Sequence, residues 1–202
     1  MIVANVYTIG HSTHSTQKFL ELLGMHDISA IADVRSRPYS RFNPQFNREN
    51  LSAHMKLSGV AYVFLGSELG ARAKDSRCYV NGKVQYDLLA KTDGFQDGLR
   101  RIAKGARQKR IALMCAEKDP LTCHRAILVC RHLAHIGIGA QHIREDGQLE
   151  SHDDALTRLL GEHGIVEPQL FRSRDELIVD AYRLRSERIA YAEDKPQTEN
   201  NQ

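Results

Sequence analysis

Short apolar runs rich in β-branched residues alternate along this chain with stretches whose apolar residues recur at helical spacing. Ile2 to Ile9 reads as a strand, and Phe19, Leu20, Leu22 and Leu23 form a helical stripe capped by Ser15 or Thr16 and ending near Gly24. Ile28 to Ala32 is a second strand, and Asn47 or Asn50 caps a helix through Leu51, Met55 and Leu57. Val60 to Leu65 is a third strand, Phe95, Leu99 and Ile102 mark a helix, and Ile111 to Met114 is a fourth strand leading to a helix at Cys123. His142 to Arg144 adds a candidate fifth. Such alternation calls for right-handed crossovers. The expected fold is α/β: a mostly parallel open sheet of about four to five strands flanked by helices. A helical C-terminal extension follows, around Leu156, Leu159 and Leu160 and then from Arg174 to Ile189. Residues 1–191 are expected to form one domain, with a disordered polar tail at 192–202. Ser67 to Gly82 lacks periodicity and reads as a long loop of the functional or mobile kind.

A chain of 202 residues with 42% hydrophobic and 26% charged positions supports a full hydrophobic core. No apolar run approaches the ~20 residues of a membrane span. Met1 to Tyr7 has neither a basic segment nor a long apolar one, so no signal peptide is expected. Cys78, Cys115, Cys123 and Cys130 contain no CxxC pair, which points to reduced thiols and a cytoplasmic location. The net charge of +3 names no partner, but residues 1–150 carry 21 basic against 14 acidic side chains, a lean towards anionic partners.

The ends of the strands carry the chemistry. The first ends in His11-Ser12, the second in Asp33-Val34-Arg35-Ser36-Arg37, the third in Gly66-Ser67-Glu68 and the fourth in Cys115-Ala116-Glu117, followed by Cys123-His124-Arg125. A parallel sheet brings all four clusters to one edge, where open α/β sheets bind ligands.

These segments, taken with their neighbours, carry a resemblance. Tyr7-Thr8-Ile9-Gly10-His11-Ser12, Asp33-Val34-Arg35 with Pro38 and Ser40, Tyr62 with Leu65-Gly66 and Glu68-Leu69-Gly70, and Met114-Cys115-Ala116-Glu117 with Cys123-His124-Arg125 resemble the bacterial and archaeal family catalogued as domain of unknown function 488. The match runs from about Tyr7 to Leu160, with one departure at Ala71, where members often carry a second glycine. The resemblance implies an α/β fold and brings no activity, cofactor or ligand.

Function therefore rests on the residues. Arg35 and Arg37 at a strand end suit a bidentate grip on phosphate or carboxylate, and Arg125, close to a helix start, adds to it. The competing role for Arg35 is an ion pair with Asp33 or Glu68. Cys123 beside His124 and Arg125 is a candidate nucleophile, with Cys115 as a second thiol. Against this, Cys123, Ile127, Cys130 and Ala134 form one helical stripe, and Cys115 shares a strand face with Ile111 and Leu113, so both thiols also read as core. His11 is an acid/base candidate of near-neutral ordinary pKa, and Glu68 and Glu117 are the candidate carboxylates. Ser12 and His124 complete the expected ligand contacts. Cys115, Cys123 and His124 lack the tight four-ligand spacing of structural zinc, so no metal is expected, and no cofactor is identified.

The first expectation is thus binding of a small anionic ligand, a nucleotide or phosphorylated compound, by a protein that acts on it as an enzyme. The alternative is a non-catalytic nucleic-acid- or nucleotide-binding module using the same arginines and the basic run Arg100 to Arg110. A solvated helix end is the plainer reading of that run. The oligomeric state is not legible.

Overall fold

The computed structural model describes residues 4–193. β1 (Ala4–Gly10) leads through α1 (Thr16–Gly24) to β2 (Ala30–Asp33), and α2 (Arg48–Leu57) leads to β3 (Ala61–Phe64). α3 (Gly66–Leu69), a small antiparallel hairpin of β4 (Tyr79–Val80) and β5 (Lys83–Val84), α4 (Tyr86–Leu89) and α5 (Asp93–Ala106) precede β6 (Ile111–Cys115). A π-helical segment (Arg125–Cys130) and α6 (Arg131–His135) cross to β7 (Ile138–Ile143); β8 (Leu149–Ser151), α7 (His152–Glu162) and α8 (Arg174–Ile189) follow.

The main sheet has six strands in the order β3-β2-β6-β1-β7-β8, parallel except for β8, which pairs antiparallel with β7. That exceeds the four to five strands expected, because the three-residue β8 is too short to show periodicity. The chain crosses from β1 towards β2 and from β6 towards β7, so the neighbours β1 and β6 send their connections in opposite directions. A crevice at the carboxyl ends of the strands follows from this topology.

Alternation along the strands divides the core into two layers. Ile9, Ile31, Ala112 and Met114 face Phe19, Leu22, Leu51 and Met55 of α1 and α2. Val6, Ala32, Leu113 and Cys115 face the other way, onto the layer that contains Phe95, Leu99, Ile127, Leu159 and Tyr182. β6 is buried along its whole length, as befits a strand covered on both faces.

Ser15 caps α1 through its side chain, and Ser173 with Glu176 forms a capping box at α8, whose span is the one its spacing predicts. Asn47 stands at the start of α2 but spends its side chain on the backbone N–H of Ser40. Asp119 caps a single 3-10 turn, Pro120–Thr122, instead of the helix expected beyond it. That helix opens with π-type winding, which shifts its phase. Cys123, Ile127 and Cys130 are buried, whereas Ala134 is exposed and Leu133 takes the core position. The stretch from Ser67 to Gly82 is not a structureless loop: it holds most of α3, a 3-10 turn and β4. Of the tail expected to be disordered, Ala192 bridges to Lys83 and Glu193 bonds to the carbonyl of Gly82, and residues 194–202 lie outside the described region.

Candidate functional site

β1 and β6 run on past their formal ends. The backbone N–H of His11 donates to the Cys115 carbonyl and that of Ser12 to the Ala116 carbonyl, both at 2.9 Å. Gly10 is needed here, because a Cβ would stand 1.8 Å from the carbonyl oxygen of Glu117. The same carbonyl accepts a hydrogen bond from Arg125 Nη1 at 2.7 Å, and Arg125 Nη2 donates to the Lys118 carbonyl at 3.1 Å. Arg125 is 1% exposed. It braces the loop after β6 from beneath and does not reach the cavity described below.

Arg35 is committed in the same way. Its Nε and Nη2 make a bidentate pair with Asp33 at 2.9 and 2.7 Å, and Nη2 also donates to the Phe46 carbonyl at 2.8 Å. Tyr62 donates its hydroxyl to the same carboxylate at 2.8 Å. Arg35 Nη1 lies 3.2 Å from His11 Nε2, and His11 Nδ1 lies 2.8 Å from the Ser12 carbonyl. Both contacts are satisfied by a neutral imidazole with its proton on Nδ1. Burial, reinforced by the Arg35 charge, lowers the His11 pKa to about 4, well away from the neutral range expected of an acid/base group. His11 stacks on Phe46, and Ser12 holds a left-handed backbone with φ of 47°. Glu68 is the outlier among the candidates. It sits on α3 and pairs with Arg101 of α5.

A cavity of about 290 Å³ lies over the ends of β2 and β6. Arg35, Arg37, Cys115, Glu117, Cys123 and His124 line it, so six of the ten candidate residues meet there, and His11, Ser12, Glu68 and Arg125 do not. Sequence reasoning missed Arg72, Thr122, Tyr86 and Tyr191 in its wall. Arg72 stands in the segment read as a featureless loop, and only its charge next to the Gly70 turn marked it. Its guanidinium lies over the Tyr191 ring at 4.2 Å from the centroid, a cation–π contact. Its backbone N–H donates to Ser36 Oγ at 3.0 Å, which ties the loop to the β2 end. Gly70 permits that approach, since a Cβ there would lie 2.4 Å from Ser36 Oγ. Ala71 needs no glycine; its φ lies outside the left-handed region.

On the cavity floor, Cys115 Sγ and Cys123 Sγ each lie 3.8 Å from His124 Nδ1. His124 Nε2 lies 3.0 Å from the Val34 carbonyl and donates its proton there. Glu117 is exposed at the cavity edge, where loss of solvation and then the Cys123 charge raise its pKa. The two thiols ionise unequally. The neighbouring Cys123 sulfur and burial hold Cys115 well above the ordinary thiol range. Burial also opposes ionisation of Cys123, but the neighbouring Cys115 thiol and the Arg125 and His124 charges outweigh it and draw the thiol well down. Burial likewise works against charge on His124, yet the Cys123 and Glu117 charges and the Val34 carbonyl raise its pKa overall. The floor is thus two thiols beside an imidazole, under a mouth that carries Arg37 and Arg72.

A second buried polar chain starts at Arg125. Its Nε lies 3.4 Å from Thr8 Oγ1, Thr8 Oγ1 is 2.8 Å from His142 Nδ1, His142 Nε2 is 3.0 Å from His152 Nδ1, and His152 Nε2 is 2.9 Å from Tyr182 Oη. One ring proton on each imidazole satisfies this chain, so both histidines are neutral. Burial lowers both pKa values, that of His152 to about 4.

In comparison with known proteins, the family model described as Domain of unknown function DUF488 matches residues 15–131. No curated protein and no solved structure matches the chain. The matched stretch holds every cavity residue except Ile189 and Tyr191.

Proposed function

The chain belongs to the family described as Domain of unknown function DUF488, a description that assigns no activity, and we propose from the cavity that it binds a small anionic ligand, a nucleotide or phosphorylated compound, and acts on it as an enzyme. One observation carries this reading. Arg37 and Arg72 are exposed, have no carboxylate partner among the described residues, and border a cavity whose floor is two thiols and an imidazole. Arginines of this kind keep their donors for a ligand, and a phosphate between them gains charge-assisted, bidentate bonds. Arg35 and Arg125, first expected to grip the anion, serve instead as the rigid base on which the floor is built.

The alternative, a nucleic-acid-binding module, has less support. It needs the cavity arginines and the basic run to act together. Arg110 bonds to Ser29, just ahead of β2, which puts the basic end of α5 at the amino edge of the sheet. The cavity opens at the carboxyl edge.

A thermal-shift screen of nucleotides and phosphorylated metabolites tests the proposal. A ligand at ~100 times its dissociation constant stabilises by about 2.7 kcal/mol, or roughly 5–10 °C for a chain of this size. The shift should vanish in Arg37→Ala/Arg72→Ala. A screen in which no anion stabilises the protein, or one in which the double variant responds like the wild type, would remove the proposal.

A further inference from the structure

Three side chains from two separate segments aim their donor atoms at one point on the cavity floor. Cys115 closes β6, whereas Cys123 and His124 follow the 3-10 turn after it, and the three donor atoms lie within 4.8 Å of one another. The two sulfur-to-nitrogen separations are 3.8 Å. Around a tetrahedral ion with bonds of about 2.3 Å to sulfur and 2.0 Å to nitrogen, such donors stand roughly 3.5 Å apart. Closing the difference asks only for a small side-chain adjustment.

The surroundings have the features of a ligand set and not of a chance cluster. The Val34 carbonyl holds His124 Nε2, which fixes the ring plane and leaves Nδ1 facing the sulfurs, as a backbone carbonyl commonly does for a metal-bound histidine. All three residues are buried, so their positions are set by packing. Glu117 lines the same cavity, but its carboxylate lies outside this cluster of donors. The remaining side faces the cavity, leaving room for a fourth ligand from solvent. Cys78 and Cys130 offer the contrast: both are buried, and neither belongs to a cluster of donors among the described residues.

We propose that Cys115, Cys123 and His124 form a mononuclear site for a thiophilic divalent metal, zinc above all, with an open position towards the cavity. Two sulfurs and an imidazole select a borderline-soft ion over magnesium or calcium, which require oxygen ligands. Three protein ligands and an open position match the catalytic and not the structural class of zinc site. On binding, the metal takes the sulfur lone pairs and the Nδ1 lone pair, and the protons these atoms held pass to the buffer, with no change of oxidation state. The site shares the cavity with the proposed anion pocket but rests on the donor geometry alone.

The test uses the untagged full chain. It is purified without chelator for metal analysis, then stripped and titrated with Co²⁺ alone and with Zn²⁺ in competition. One metal ion per chain is expected, with a cobalt–thiolate absorption that zinc abolishes. Cys115→Ser, Cys123→Ser and His124→Gln should each weaken binding by at least about tenfold to a hundredfold. A reading that needs no variant is alkylation followed by mass spectrometry: zinc should protect Cys115 and Cys123 and leave Cys78 and Cys130 unchanged. Absence of cobalt–thiolate absorption, metal binding that persists in all three variants, or failure of zinc to protect the two thiols would each overturn the proposal. Phosphate titration of the stripped protein and of Arg37→Ala/Arg72→Ala separates the two ideas. Arginine-dependent phosphate binding without metal binding sinks the metal site alone; metal binding without phosphate binding sinks the anion pocket alone.

Discussion

Removing the Asp33 carboxylate would leave the Arg35 guanidinium buried beside only a carbonyl and a neutral imidazole. Breaking a buried pair from one side costs about 3–5 kcal/mol, so Asp33→Ala should lower the unfolding free energy by that much, seen in chemical denaturation as a lower urea midpoint at an unchanged slope. Arg37 and Arg72 contrast with this pair. They make no ion pair among the described residues, so Arg37→Ala or Arg72→Ala should leave the unfolding free energy within about 1 kcal/mol of wild type. Each should instead weaken phosphate binding about tenfold or more, the scale of a hydrogen bond to a charged group, measurable by calorimetric titration. Sequence alone does not separate these two kinds of arginine. Arg35 and Arg37 stand two residues apart at one strand end. Only the fold shows that the first turns inward onto Asp33 and Phe46 while the second turns out to the cavity.

At the scale of elements, the cavity is walled by segments far apart in the chain. Ile189 closes α8, Tyr191 follows it, and the Tyr191 carbonyl accepts a hydrogen bond from the Val84 N–H of the small hairpin. This C-terminal segment lies beyond the span matched by the family model, yet it supplies the ring on which Arg72 rests. Tyr191→Ala should release Arg72 and weaken anion binding several-fold, with little effect on the unfolding midpoint, since a cation–π contact at a partly exposed site is worth about 0.5–1 kcal/mol. Titration of the variant beside wild type checks both halves of that expectation. Helix spacing of Leu177, Ile178, Ala181, Leu184 and Ile189 made α8 legible, and of these Leu177 and Ala181 are buried. The hairpin was not legible: β4 and β5 have two residues each, too few to display alternation. The convergence of Cys115 with Cys123 and His124 was likewise hidden. The 3-10 turn at Pro120–Thr122 doubles the chain back, and residue spacing alone read that return as distance.

For the whole molecule, the alternation of strands and helices made the α/β class and the carboxyl-edge location of the site readable, and the order β3-β2-β6-β1-β7-β8 then decided which strand ends share a cavity. His11 follows a central strand but stands behind Arg35 and Phe46, whereas Arg72 and Tyr191 line the cavity from outside the strands, so position at a strand end does not by itself make a site residue. The same interior sets the pH dependence. His142 and His152 are buried neutral, and the folded-state pKa of His152 lies near 4 against an ordinary value of 6.5. The unfolded chain therefore binds more protons between these values. Stability should be fully present above pH 6.5 and fall as pH drops towards 4, by roughly 3 kcal/mol for His152 alone. Urea midpoints across that range should show the fall, and His152→Gln should flatten it.

The most direct test of the anion pocket is a crystal structure of the chain with the best-stabilising phosphorylated compound. The account predicts its phosphate between Arg37 and Arg72, above Cys115, Cys123 and His124. A phosphate bound at the basic end of α5, or a cavity left without ligand at saturating concentration, would contradict it.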